Sequence, residues 1–260
     1  MRIIDAHAHL LDERGYIDGL LCAMDACGIE RCCISGLGAL FGFADDTAVR
    51  GAFRQHPDRF IGAVYIQPGP DTPDKIDRAR QDGFRMVKVT LPWSAYDDSA
   101  HYPLWARAEA LGLPVLFHTG VVTTRVEAPQ ERISSWNMHP MRLEPISRAF
   151  PKLKIIVAHL GIHWNDDAAE LARMRPNVYV DLTGEPGGWR ARVDAVGVEK
   201  WLWWPGAFDK VLFGTDVHYT KIARAVREDT ERMDRLRLPA ATREKVFAGN
   251  ILNLLGEDAA

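Results

Sequence analysis

Eight times along this chain a short apolar, β-branched run is followed by a stretch of helical periodicity. The runs are Ile3–Ala8, Arg31–Ser35, Phe60–Gln67, Phe84–Thr90, Leu113–His118, Leu153–His159, Asn177–Leu182 and Lys210–Thr215. Between them, Ile17, Leu20, Leu21 and Met24 fall at helical spacing. Thr72-Pro73 reads as a helix N-cap followed by proline at the first helical position, with Gly83 as the stop. Leu104, Trp105, Ala108 and Leu111, ended by Gly112, repeat the scheme. Met141–Phe150, Asp166–Met174, Val193–Trp203 and Tyr219–Leu236 continue it, and a last helix is expected near 242–255. Eight strand–helix units predict a single (β/α)8 TIM barrel, one domain over residues 1–260. A doubly wound open sheet would want a Gly-rich phosphate loop after its first strand. That turn holds His7-Ala-His-Leu10 instead.

Barrels of this kind carry their chemistry at the C-terminal ends of the strands. His7 and His9 end the first run. Residues two apart on a strand point to the same side, about 6–7 Å apart at Cβ, so both imidazoles can reach one ion. Lys88 lies near the end of the fourth run, His118 ends the fifth, His159 ends the sixth, and Asp216 follows the eighth. Six such side chains at strand ends, all expected to face one bowl, are hard to explain by packing. Imidazole nitrogen with carboxylate oxygen suits a divalent ion, zinc first, with manganese or iron as alternatives. Asp216 is then a ligand and the acceptor of a proton from attacking water. His159 either binds a second ion or steadies charge developing on the substrate.

Composition narrows the partners. The 47% hydrophobic and 26% charged content is that of an ordinary globular enzyme, and a net charge of −3 gives no reason to expect nucleic acid or an anionic membrane. No apolar run approaches the ~18 residues a membrane span needs, and strand-like sequence begins at Arg2, so the expected location is the cytoplasm. Cys22, Cys27, Cys32 and Cys33 match no common zinc-ligand spacing and read as buried, reduced thiols.

The order His-x-His, Lys, His, His, Asp over strands one, four, five, six and eight resembles the amidohydrolase superfamily of metal-dependent barrels. Val115-Leu-Phe-His118-Thr-Gly, Ile155-Ile-Val-Ala-His159-Leu-Gly, Leu212-Phe-Gly-Thr-Asp216 and Phe247-Ala-Gly-Asn250 resemble its strand-end and tail motifs. His-Pro-Asp-Arg-Phe at 56–60 and Phe150-Pro-x-Leu look like the amidohydrolase-related, or amidohydrolase 2, branch. That branch holds lactone and amide hydrolases, a hydratase and non-oxidative decarboxylases. In one-metal members the resemblance implies His7, His9, His118 and Asp216 as ligands, with His159 free as acid or base. In two-metal members it implies that His7, His9 and Asp216 hold one ion and His118 and His159 the other, bridged by a carboxylated Lys88. An uncarboxylated Lys88 instead binds a substrate carboxylate or serves the structure. Dimers are common in similar barrels, so a homodimer is the assembly to expect.

Loop residues after the strands are candidates for substrate contact: Trp93, Tyr96, Arg125, His163, Trp164 and His218. His56, His101 and His139 lie away from strand ends and read as surface or capping residues, and Trp201-Leu-Trp-Trp-Pro as helix-to-barrel packing. The expected function is metal-dependent hydrolysis of a small, carboxylate-bearing amide, lactone or ester. A metal-dependent decarboxylase of a small hydroxy-carboxylate is the alternative. A TatD-like deoxyribonuclease would place a glutamate in a Gly-Glu-Ile-Gly setting where this chain has Val87-Lys88-Val89-Thr90. A metal-binding barrel without turnover is the remaining reading.

Overall fold

A computed structural model describes residues 1–38, 42–122 and 132–257. Eight strands form one sheet in sequential order: β1 (Ile4–His9), β2 (Arg31–Ser35), β3 (Phe60–Ile66), β4 (Met86–Val89), β5 (Val115–Phe117), β6 (Ile155–Val157), β7 (Val178–Asp181) and β8 (Val211–Leu212). The pairings with a described register, such as β1 with β2 and β4 with β5, are parallel. The Ala6 amide donates to the Phe213 carbonyl at 3.0 Å, which brings the segment after β8 alongside β1. With helices between the strands, this is the expected (β/α)8 barrel. Every residue of β1 is buried, as befits a parallel strand covered on both faces.

The helices are α1 (Tyr16–Cys27), α2 (Asp46–Gln55), α3 (Pro73–Asp82), α4 (Tyr102–Ala110), α5 (Leu143–Ala149), α6 (Asn165–Met174), α7 (Trp189–Val196), α8 (Ile222–Arg235), α9 (Ala240–Glu244) and α10 (Asn250–Leu255). Helix α3 starts as read, with Thr72 as N-cap, Pro73 in the first turn, and Gly83 closing it at φ 104°. Helix α7 departs from the expected Val193–Trp203. It begins at Trp189 and stops at Gly197, whose φ of 89° breaks the helical backbone. Beyond it Trp201 stacks on Trp189 with ring centroids 6.4 Å apart, Leu202 is buried, and Trp203 is 65% exposed. The last helical stretch is α9 and α10 joined by a π-turn over Lys245–Gly249. Helix α2 carries no helical signal strong enough to be named from the sequence, yet Asp45 caps it by accepting from the Ala48 amide.

The chain divides into two compact units, one of Met1–Gly62 with Asp181–Ala260 and one of Ala63–Val180. The core of the first includes Ile4, Met24, Ile34, Val49, Ile222 and Ile251. That of the second includes Val89, Trp105, Val115, Phe117, Leu143 and Ile155. Cys32 and Cys33 are buried as expected, whereas Cys22 is exposed and Cys27 only half-buried, because α1 turns Tyr16, Leu20 and Met24 inward. All four are free thiols. No helix among the described residues is long and apolar enough to cross a membrane.

Candidate metal centre

In the first unit, β1 delivers His7 and His9 side by side, with ring centroids 5.2 Å apart. The pairing of β1 with β2 slips between Asp5 and Ala8, a bulge of the kind that re-aims side chains beside functional sites. The chain after β8 then returns to β1. The Asp216 amide donates to the His7 carbonyl at 2.7 Å, and the Thr215 hydroxyl and amide donate to the Asp5 carboxylate at 2.6 and 3.0 Å. Burial pushes the Asp5 carboxyl up to about 7, against the downward pull of these bonds and of one from the His7 amide. Asp216 sits at φ 50°, a left-handed conformation that a non-glycine residue adopts only when its surroundings impose it.

The result is a convergence of donor atoms. Asp216 Oδ1 lies 3.1 Å from His9 Nε2 and 3.7 Å from His7 Nε2. The other ring nitrogens are occupied. His7 Nδ1 is 3.0 Å from Asp181 Oδ2 and 3.3 Å from the Thr183 hydroxyl. His9 Nδ1 is 2.9 Å from the Ser35 hydroxyl and 3.3 Å from the Ser35 carbonyl. An acceptor at Nδ1 fixes the proton there and leaves the Nε2 lone pair for a ligand, which is how metal-binding histidines are oriented. His7, His9 and Asp216 offer atoms all within 4.8 Å of one another, so this donor set fits a divalent ion.

The second unit holds the other pair. His118 follows β5, its amide bonded to the Val89 carbonyl at 2.8 Å. His159 follows β6 in a tight turn at φ 58°, not in the strand as the sequence suggests. His159 Nε2 and His118 Nδ1 are 3.2 Å apart, within hydrogen-bond reach of each other. The Thr119 hydroxyl donates to the Ala158 carbonyl at 2.6 Å, and Asn165 donates to the Leu160 carbonyl at 2.7 Å, fixing that turn. Lys88 is in β4, 1% exposed, in register with Tyr65 and Leu116.

The loop residues divide. Tyr96 is wholly buried, and its hydroxyl donates to the His118 carbonyl at 2.9 Å, so it braces backbone instead of meeting substrate. Trp93 is 36% exposed beneath the Arg132 guanidinium, 4.9 Å from its ring. His163 is exposed at φ 75°. Trp164 packs on His139, which caps a short turn by accepting from the Met141 amide. His218 accepts from the Thr220 amide at Nδ1, and its Nε2 lies 3.3 Å from Glu13 Oε2. Of the two expectations for His101, surface or capping, the second fits: it stands at the N-cap position of α4, buried, with its Nε2 2.8 Å from the Ser94 hydroxyl. Arg125 lies outside the described residues. Asp181, Thr183 and Ser35 are the residues the sequence reading passed over. A carboxylate ending the apolar run Val178-Tyr-Val-Asp181 was the signal for the first of them.

The fold is widely shared. An uncharacterized TIM-barrel protein from Bordetella bronchiseptica superposes with a TM-score of 0.74 at 20% identity, covering 98% of this chain and 99% of that one. A probable 2-pyrone-4,6-dicarboxylic acid hydrolase from Acinetobacter baumannii gives 0.68 at 15%, covering 98% and 100%. A 5-carboxyvanillate decarboxylase from Novosphingobium aromaticivorans, complexed with manganese and 4-hydroxy-3-methoxy-5-nitrobenzoic acid, gives 0.67 at 17%, covering 98% and 96%. No curated protein matches the chain in sequence. The amidohydrolase family model (Amidohydro_2) matches residues 4–256, a span running from the first residue of β1 to the close of α10, and the chain therefore belongs to the amidohydrolase family, whose members are metal-dependent enzymes.

Proposed function

We propose that this chain is a metal-dependent hydrolase of a small, carboxylate-bearing amide, lactone or ester. The supporting observation is the convergence of His7 Nε2 and His9 Nε2 on Asp216 Oδ1, with both Nδ1 atoms tied back to protein acceptors. His7, His9 and Asp216 would hold the ion, and in a one-ion form His118 would join them, as the resemblance of its motif to one-metal members implies. In a two-ion form His159 and His118 would hold the second ion, with a carboxylated Lys88 as a further ligand. Zinc is the first choice, manganese or iron the alternatives. When bound, the ion supplies Lewis-acid polarisation of a substrate oxygen.

Asp216 takes the proton from the attacking water, and His159 steadies the charge that develops on the substrate. Lys88, Trp93, Arg125, His163 and His218 recognise the substrate, with Lys88 as the cation for its carboxylate. The partners are small molecules, with neither nucleic acid nor membrane among them. The enzyme works as a homodimer in the cytoplasm.

Metal analysis with a panel of lactones, amides, esters and hydroxy-carboxylates in ¹⁸O-water tests this reading. Hydrolysis puts one solvent oxygen into the product, and Asp216→Asn abolishes turnover while keeping the fold. Undiminished metal-dependent turnover in that variant refutes the role of Asp216. The second reading, a decarboxylase, draws on the 3.2 Å approach of His159 Nε2 to His118 Nδ1, since a hydrogen-bonded imidazole pair can deliver a proton to carbon. Release of carbon dioxide with no solvent oxygen in the organic product selects it.

A further inference from the structure

Resting on that metal-centre reading, we propose that Arg190 is a positioning residue for it. Its single guanidinium fixes both the backbone leading to Asp216 and the backbone carrying the acceptor of His7. Arg190 lies on α7 and is wholly buried. Its Nε donates to the Gly184 carbonyl at 2.8 Å and its Nη2 to the Gly214 carbonyl at 2.7 Å. Gly184 follows Asp181 and Thr183, which hold His7 Nδ1, and Gly214 stands two residues before Asp216. The third arm, Nη1, pairs with Asp229 of α8 at 2.6 Å.

Burying a guanidinium is costly unless it is paired and its donors are satisfied, so this one has to be accounted for. Holding α7 to α8 does not require it. Arg232 of α8 already bonds Asp194 of α7 and also pairs with Asp229. What Arg190 adds is the two carbonyls at the ends of the strands. At Gly214 the chain runs hard against the site: a Cβ placed there would lie 2.9 Å from His7 Cβ and 2.7 Å from Thr183 Cγ2. A shift of this segment would therefore be felt at His7 as well as at Asp216. Lysine keeps the charge opposite Asp229 but cannot reproduce a planar fork reaching three acceptors.

Cobalt(II) is the probe, read by its visible absorption and by titration calorimetry, with thermal melting alongside. Arg190→Lys is expected to fold, to bind cobalt 10–100-fold more weakly than the wild type, and to alter the absorption bands. Arg232→Met is expected to melt lower yet keep the wild-type affinity and spectrum. Wild-type affinity and spectrum in Arg190→Lys would overturn the proposal, as would an equal loss in Arg232→Met. If Arg190→Lys does not fold, the double variant Arg190→Met/Asp229→Leu, which leaves Asp229's charge out of the core, is measured by the same criteria. A wild-type protein that binds no cobalt refutes the metal centre itself, an outcome distinct from unchanged binding in the variants.

Discussion

Replacing Asp181 with asparagine changes one atom and should disable His7. The two carboxylate oxygens have separate partners: Oδ1 accepts from the Thr183 hydroxyl at 2.6 Å and amide at 3.1 Å, and Oδ2 faces His7 Nδ1 at 3.0 Å. The side-chain oxygen of asparagine is held by Thr183, which offers two donors, so its NH2 turns toward His7. His7 Nδ1 must then accept, its proton moves to Nε2, and the nitrogen facing Asp216 can no longer ligate. Losses of this kind run to about 10–100-fold in metal affinity, or about 1.4–2.7 kcal/mol. Ser35→Ala is the internal comparison. It removes a hydroxyl from His9 Nδ1 but leaves the Ser35 carbonyl at 3.3 Å, so a loss of about 2–10-fold is expected. Zinc affinity by competition with a chromophoric chelator, measured on folded protein near neutral pH, ranks the two. Wild-type affinity in Asp181→Asn, or a larger loss in Ser35→Ala, would refute the reasoning.

Three further outcomes are expected. Gly214→Ala forces a Cβ to within 2.9 Å of His7 Cβ and 2.7 Å of Thr183 Cγ2, which should destabilise the fold by about 1–3 kcal/mol in denaturant titrations and weaken zinc binding together. Tyr96→Phe deletes the bond to the His118 carbonyl and leaves a buried acceptor short of a donor, at a cost of about 1–3 kcal/mol in the same assay. Burial holds the His101 imidazole below its ordinary 6.5, so the unfolded chain takes up that proton first. Stability should therefore fall as pH drops below that value, and His101→Gln should fall less steeply between neutral and mildly acidic pH.

The strand order, and the side chains His7, His9 and Asp216 that converge after β1 and β8, could be read from residues alone. The β-branched runs marked all eight strands, and the His-x-His spacing required a strand, which is how His7 and His9 come to share a face. What escaped reading was set by tertiary packing. His159 and Asp216 are left-handed although neither is a glycine, so nothing at those positions announces the conformation. The hydrogen bonds to Nδ1 of His7 and His9 come from residues 174 and 26 positions away. Periodicity could not foresee where α7 stops, because Gly197 outweighs the apolar pattern that continues past it. The position of His101 at the start of α4 was legible, whereas its burial and its contact with Ser94, seven residues earlier, were not.

The central claim is that one divalent ion is held between His7, His9 and Asp216. Anomalous diffraction from zinc- or manganese-loaded crystals tests it most directly. The account predicts a peak about 2.0–2.2 Å from His7 Nε2, His9 Nε2 and an Asp216 oxygen, with both Nδ1 atoms still on their protein acceptors. A loaded crystal with no peak there, or with an imidazole turned to ligate through Nδ1, would contradict it.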